Sequence, residues 1–208
     1  MGESRGAFSP NCVWNALVAP LFLLLYHFAF RKKIKAGQFA PFLILTIFYL
    51  VLRFKALNPS AFSLDWLATI LQRIPGFFAS ITKYLSIFFL PLNLHFEYGQ
   101  VVFGFTDPKA VTGFAASVFM LLWAFKKINS CPIVFFSIMW FFTALLPTSN
   151  IYPLSFYMAE HFLYLPSMGL FLLLAYILSK FINSRHFKTA LFLTVSLIFF
   201  WAFLTIRQ

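Results

Sequence analysis

Two short stretches of this chain gather side chains that could do acid–base or ligand chemistry. Residues 145–169 read LLPTSNIYPLSFYMAEHFLYLPSMG, with Glu160 and His161 side by side, Ser149 and Asn150 upstream and Tyr164 downstream. Residues 91–100 read PLNLHFEYGQ and carry His95, Glu97 and Tyr98. An imidazole changes charge near neutral pH and, when protonated, is a donor to anions. A carboxylate can accept a proton from a hydroxyl within hydrogen-bond reach. Pro147 ends the helix that precedes it, and Pro166 must kink or restart the one that follows. Ser149 and Asn150 can cap what lies between. Glu160 and His161 therefore fall near an irregular helix start, where free N–H groups and partial positive charge suit a phosphate or pyrophosphate. Glu160 repels such an anion, so its expected work is to hold His161, accept a sugar hydroxyl or take a proton. The same residues also admit structural roles. Glu160 could cap its own helix start or pair with a base such as Lys109. His161 could be an interfacial histidine making one backbone bond. Tyr164 and Tyr152 could be aromatics of the membrane belt. His95, Glu97 and Tyr98 could form a plain solvated turn.

The elements that must position these residues are set by composition. The chain of 208 residues is 62% hydrophobic and 10% charged, with 32 Phe, which leaves too little polar surface to coat a soluble globule. The class read from this is a polytopic, all-α membrane helix bundle. The net charge of +11 is not a nucleic-acid signal, because the basic residues cluster beside apolar runs, as topology signals do. Cys12 and Cys131 make neither a disulfide framework nor a metal spacing. The first ten residues, MGESRGAFSP, lack the basic start of a signal peptide, so the first apolar run reads as a retained span.

About six runs are long and apolar enough to be read as spans: Val13–Phe30, Phe39–Leu57, Pro108–Phe125, Cys131–Leu146, Phe162–Leu178 and Thr189–Ile206. Asn58–Leu92 is harder. Ala61–Gln72 has an amphipathic face and Phe77–Leu92 is short with Lys83 in its middle. A charge at mid-bilayer costs about 2.5–3.5 kcal/mol. The basic clusters at 31–35 and 126–127 should both be cytoplasmic, which requires an even number of crossings between them. Asn58–Leu92 is therefore expected as interfacial or re-entrant helices on the outer side. Glu3, Asp65, Glu97, Asp107 and Glu160 all fall on that side. Residues 1–208 read as a single membrane domain, and no Walker loop, dinucleotide fingerprint, HExxH helix or nucleophile elbow is present.

PTSN at Pro147–Asn150, IYPL, and AEHFLYLPSMG at Ala159–Gly169 together resemble the signature loop of the transmembrane and tetratricopeptide-repeat O-mannosyltransferases and their bacterial relatives. LPLNLHFEYG is similar to a second loop of that family, with Glu97 where Asp is usual. Asn58-Pro59 matches a further loop element, and LYHFAFRKK at Leu25–Lys33 extends the likeness, with His27 where relatives often carry an acid.

The resemblance implies a partial GT-C fold and a glycosyltransferase that takes sugar from a polyprenyl-phosphate donor on the outer face of an inner or endoplasmic-reticulum membrane. On that reading Glu160, His161, Tyr164, Ser149 and Asn150 bind the donor's lipid-phosphate and sugar, and His95, Glu97 and Tyr98 form a secondary outer loop. The family's acidic motif, a general base or metal ligand, lies in the first outer loop, and only Glu3 precedes the first span here. The likeness is thus to the C-terminal half of such an enzyme. No catalytic residue and no metal ligand can be assigned, a divalent metal would belong to the complete enzyme, and a separate chain would supply the N-terminal half. Two alternatives stay open: a non-catalytic membrane protein that binds a lipid-linked sugar or scaffolds a complex, and a small transporter component.

Overall fold

The computed structural model describes residues 10–32, 37, 40–42, 44–48, 51, 66–91, 97–98, 103–148, 158–182 and 187–206. Its helices are α1 (Pro10–Ala29), α2 (Trp66–Phe89), α3 (Pro108–Lys127), α4 (Pro132–Leu145), α5 (Tyr164–Ile182) and α6 (Phe187–Ile206). Two-residue strands β1 (Glu97–Tyr98) and β2 (Met158–Ala159) pair antiparallel, and 3-10 turns cover Leu146–Thr148 and Glu160–Leu163. Prolines open α1, α3 and α4, where a missing N–H costs nothing because the first turn has no intrahelical acceptor for it. At α3 the Asp107 carboxylate adds a cap, accepting from the Lys109 backbone N–H at 2.9 Å.

α4 is the axis of the bundle. Phe135, Ile138, Phe141 and Leu145 are all at most 1% exposed. One cluster around α4 joins Leu25 and Ala29 of α1 to Ala124 of α3. A second joins Ile81 and Tyr84 of α2 to Leu163 and Leu170. α1 runs antiparallel to α4, since Phe22 stacks on Trp140 at 3.8 Å while Phe28 meets Phe135. α4 and α5 approach closely at Gly169, where an added Cβ would lie 2.5 Å from the Ser137 carbonyl oxygen. Such close backbone approach through small residues is how helices associate when no water drives them together.

Among the described residues two helices are long and apolar enough to cross a membrane, Pro108–Lys127 and Glu160–Phe181. That stands against an expectation of about six spans. The run Cys131–Leu146 is corrected most clearly: its helix, α4, has 14 residues, about 21 Å at 1.5 Å per residue, short of a hydrocarbon core of about 30 Å. Val18–Ala29 and Thr194–Phe203 are likewise shorter apolar helical stretches. Of Phe39–Leu57, residues 40–42, 44–48 and 51 are described and are helical, and the rest lies outside the described residues.

Asn58–Leu92 is corrected too. Instead of two short pieces it holds one 24-residue helix, α2, with Pro75 inside it. Pro75 and Gly76 are buried, so packing against neighbours overrides their tendency to end a helix. α2 lies on α3 with opposed numbering: Phe78 meets Phe114, and the Thr82 hydroxyl donates to the Lys109 carbonyl at 2.8 Å. Lys83 is therefore level with the first turn of α3, not with the middle of the pair.

Charge is divided between the two ends of the bundle. The Arg31 guanidinium donates to Asn129 in the turn after α3, and the Tyr176 hydroxyl donates to the Cys131 sulfur at 3.1 Å. These contacts bring the last turns of α1, α3 and α5 to one end, which carries Arg31, Lys32, Lys126, Lys127 and Lys180. Asp107, Lys109, Glu160 and His161 lie at the other.

Candidate functional site

The polar end is assembled from two distant segments. β1 and β2 pair in the register Glu97↔Ala159 and Tyr98↔Met158. This sets the backbone of Glu97 directly across from the residue that precedes Glu160. Neither strand is legible as such, since two residues show no alternation. Burial holds β2 in place. Ala159 is 0% and Met158 6% exposed, and Met158 packs with Ala79, Phe103 and Ala110. The Tyr84 hydroxyl, itself on a buried side chain, reaches toward the Ala159 carbonyl at 3.5 Å.

Glu160 and His161 are the first two residues of the 3-10 turn, and both are half-buried. Ala159 enters the turn in an extended conformation and offers no side-chain cap. The His161 ring meets Phe162 edge-on at 4.4 Å, and its Nδ1 is buried. The turn passes directly into α5 at Tyr164, so Pro166 stands in the first turn of that helix and is fully buried. Its missing N–H costs little there. Where Pro166 is expected to kink or restart a helix, the 3-10 turn passes into α5 two residues ahead of it. An acid in this first turn is favoured by the helix dipole, and an anionic ligand would share the same field.

The predicted site residues divide as follows. Glu160, His161 and Tyr164 lie within one turn of each other, and Tyr164 is 74% exposed. Glu97 and Tyr98 are brought beside this turn through their backbone. Ser149, Asn150 and His95 lie outside the described residues. Two residues that hold the site are not legible in the sequence. The Trp140 indole donates to the Leu165 carbonyl at 2.9 Å, fixing the first turn of α5 on α4. Tyr84 backs the Ala159 strand. Both sit inside apolar runs, and no local signal separates them from filler. Among the described residues no three His, Cys, Asp or Glu side chains group to hold a metal ion.

No family model, curated protein or solved structure matches the chain.

Proposed function

We propose that this chain is a multi-pass integral membrane protein of partial GT-C type, and that its polar end binds the phosphate and sugar of a polyprenyl-phosphate-linked sugar as part of a glycosyltransferase. Glu160, His161 and Tyr164 would contact the donor, with Ser149, Asn150, His95, Glu97 and Tyr98 in the adjoining loops. The observation that carries the reading is the β1–β2 pairing, which joins the two loops that the resemblance singles out. A membrane setting is supported by the inverted pattern of α3: its buried positions are Ala110, Gly113, Ser117 and Ala124, while Phe114, Phe119, Leu122 and Phe125 are each more than half exposed. Small residues inside and large apolar ones outside suit a helix in lipid. A chain with five acids and no paired acids favours binding over bond-making, so a second chain would bring the general base.

The test is to reconstitute the chain with a separate chain that supplies the N-terminal half and measure binding of, and transfer from, a polyprenyl-phosphate sugar. Glu160→Ala and His161→Ala are each expected to weaken donor binding about tenfold, the order expected when one charged hydrogen bond is lost. Membrane insertion should be intact in both variants. Unchanged donor affinity in both removes the site assignment. Donor binding without transfer favours the second reading, a non-catalytic protein that binds a lipid-linked sugar.

A further inference from the structure

A partly open groove of about 900 Å³ runs between α1, α3 and α4, within the ~300–1,000 Å³ usual for small-molecule sites. Its walls are apolar, with Leu21, Leu25 and Phe28 on α1, Phe125 on α3, and Phe135 and Met139 on α4. It extends from Thr143 and Leu146, near the end of α4, to His27, Arg31 and Lys32 at the cation-rich end. A long apolar trough that finishes in a basic mouth has the charge and shape pattern of one ligand class, an acyl chain carrying an anionic headgroup.

The mouth has a feature that ordinary helix termination does not require. α1 ends in a Schellman turn, with the Lys32 N–H donating to the His27 carbonyl at 3.1 Å. The residue that must take the left-handed conformation in that turn is Arg31, at φ 49°. Glycine adopts this conformation without penalty, whereas a side chain there costs about 1–2 kcal/mol. The strained position directs the guanidinium, which donates to Asn129. One bond to Asn129 leaves most of the guanidinium's five donors for other partners. Lys32 packs its ammonium over the Tyr26 ring at 5.4 Å, which holds a second cation beside the first. The carbonyl end of α1 by itself attracts cations and repels anions, so a plain C-terminal cap would explain the charges but not an arginine in place of glycine.

We propose that this groove binds an anionic phospholipid from the leaflet at the cation-rich end, with its acyl chain in the trough and its phosphate on Arg31 and Lys32. The proposal rests on the chain residing in a membrane, but not on the donor site at the other end.

The full chain, purified in neutral detergent and stripped of lipid, is titrated with phosphatidylglycerol or phosphatidylcholine and bound lipid is counted by native mass spectrometry. Phosphatidylglycerol should bind about 25-fold more tightly, and Arg31→Gly and Lys32→Gln should each remove about fivefold of that preference. Arg31→Gly is the decisive variant, because it relieves the backbone and so keeps the fold while deleting the cation. Equal affinity for the two lipids, or an undiminished preference in Arg31→Gly, overturns the proposal. So does a thermal shift with inorganic phosphate alone equal to that with the lipid, and so does a stable dimer that fills the groove and excludes lipid. Release of the chain from membranes by alkaline carbonate overturns this proposal and the membrane reading together. A chain that stays inserted yet shows no headgroup preference overturns this one alone.

Discussion

At the cation-rich end, Lys126, Lys127 and Lys180 stand in the last turn of their own helices, and Arg31 and Lys32 just beyond theirs. Each is placed by its immediate neighbours in sequence. At the polar end, Glu160 and His161 stand on a 3-10 turn that is fixed by a strand from another segment, a tyrosine from α2 and a tryptophan from α4. The first end is the sum of local helix terminations. The second exists only when several elements have docked. The two ends should therefore fail separately, and the polar end should fail first.

The largest effect is expected at Gly113, where an added Cβ would run into the Phe78 carbonyl and the Thr82 hydroxyl. In an open helix Gly→Ala gains up to about 1 kcal/mol. Here the obstacle is backbone, which cannot turn aside, so Gly113→Ala should lose a net ~3 kcal/mol as α2 and α3 separate. Unfolding in detergent measures that loss. Hydrogen exchange should rise at residues 158–163, which lean on this pair through Ala79, Ala110 and Met158. In a Cys12→Ser background the alkylation rate of Cys131 should not change, because that thiol reports the other end. Equal loosening at both ends would show that the bundle has no such division.

A smaller effect is expected at Ala159, which has φ −145° and lies fully buried opposite Glu97. Proline needs a φ near −65°. Ala159→Pro should cost about 1–3 kcal/mol and raise exchange at residues 97–98, again without effect on Cys131. The register itself can be checked with Glu97→Cys and Ala159→Cys together. Directly opposed strand residues lie within disulfide reach, so this pair should oxidise readily while a control pair at 98 and 159 should not. Oxidation in the control pair alone would mean a shifted register.

The same division governs what was legible in the sequence. The ends of α3 and α5 could be read, because Pro108 with Asp107 marks one start and Lys126-Lys127 and Lys180 mark the stops. α2 is not legible as one helix because Pro75 and Gly76 are helix breakers and Lys83 is a charge inside an apolar run, and only the burial of the segment against its neighbours makes one helix of it. α4 reads as a span because apolarity does not report length: Pro132 and Pro147 bracket its run more tightly than a bilayer requires. At the candidate site Glu160 and His161 were legible as rare polar residues in an apolar chain. The strand pairing, Tyr84 and Trp140 were not, since each depends on a partner far away along the chain.

The smallest expected effect lies at the cation-rich end and tests its independence from the opposite side. The Tyr176 hydroxyl donates to the Cys131 sulfur, and the Lys180 ammonium sits 5.1 Å from the same tyrosine ring. Tyr176→Phe removes the hydrogen bond to sulfur and the hydroxyl's contact with the Lys180 ammonium, and keeps the ring beside the cation. A neutral bond of this kind contributes about 0.5–1.5 kcal/mol, and a sulfur acceptor belongs at the low end of that range. The variant should therefore unfold almost as the parent does. A hydroxyl that donates to sulfur favours the nucleophilic thiolate, so without it Cys131 should alkylate a few times more slowly in the Cys12→Ser background. Exchange at residues 158–163 should stay at the parent level. If loss of this one hydroxyl also loosened the Glu160 turn, α5 would be transmitting strain from end to end, and the polar end would have to be treated as coupled to the basic one.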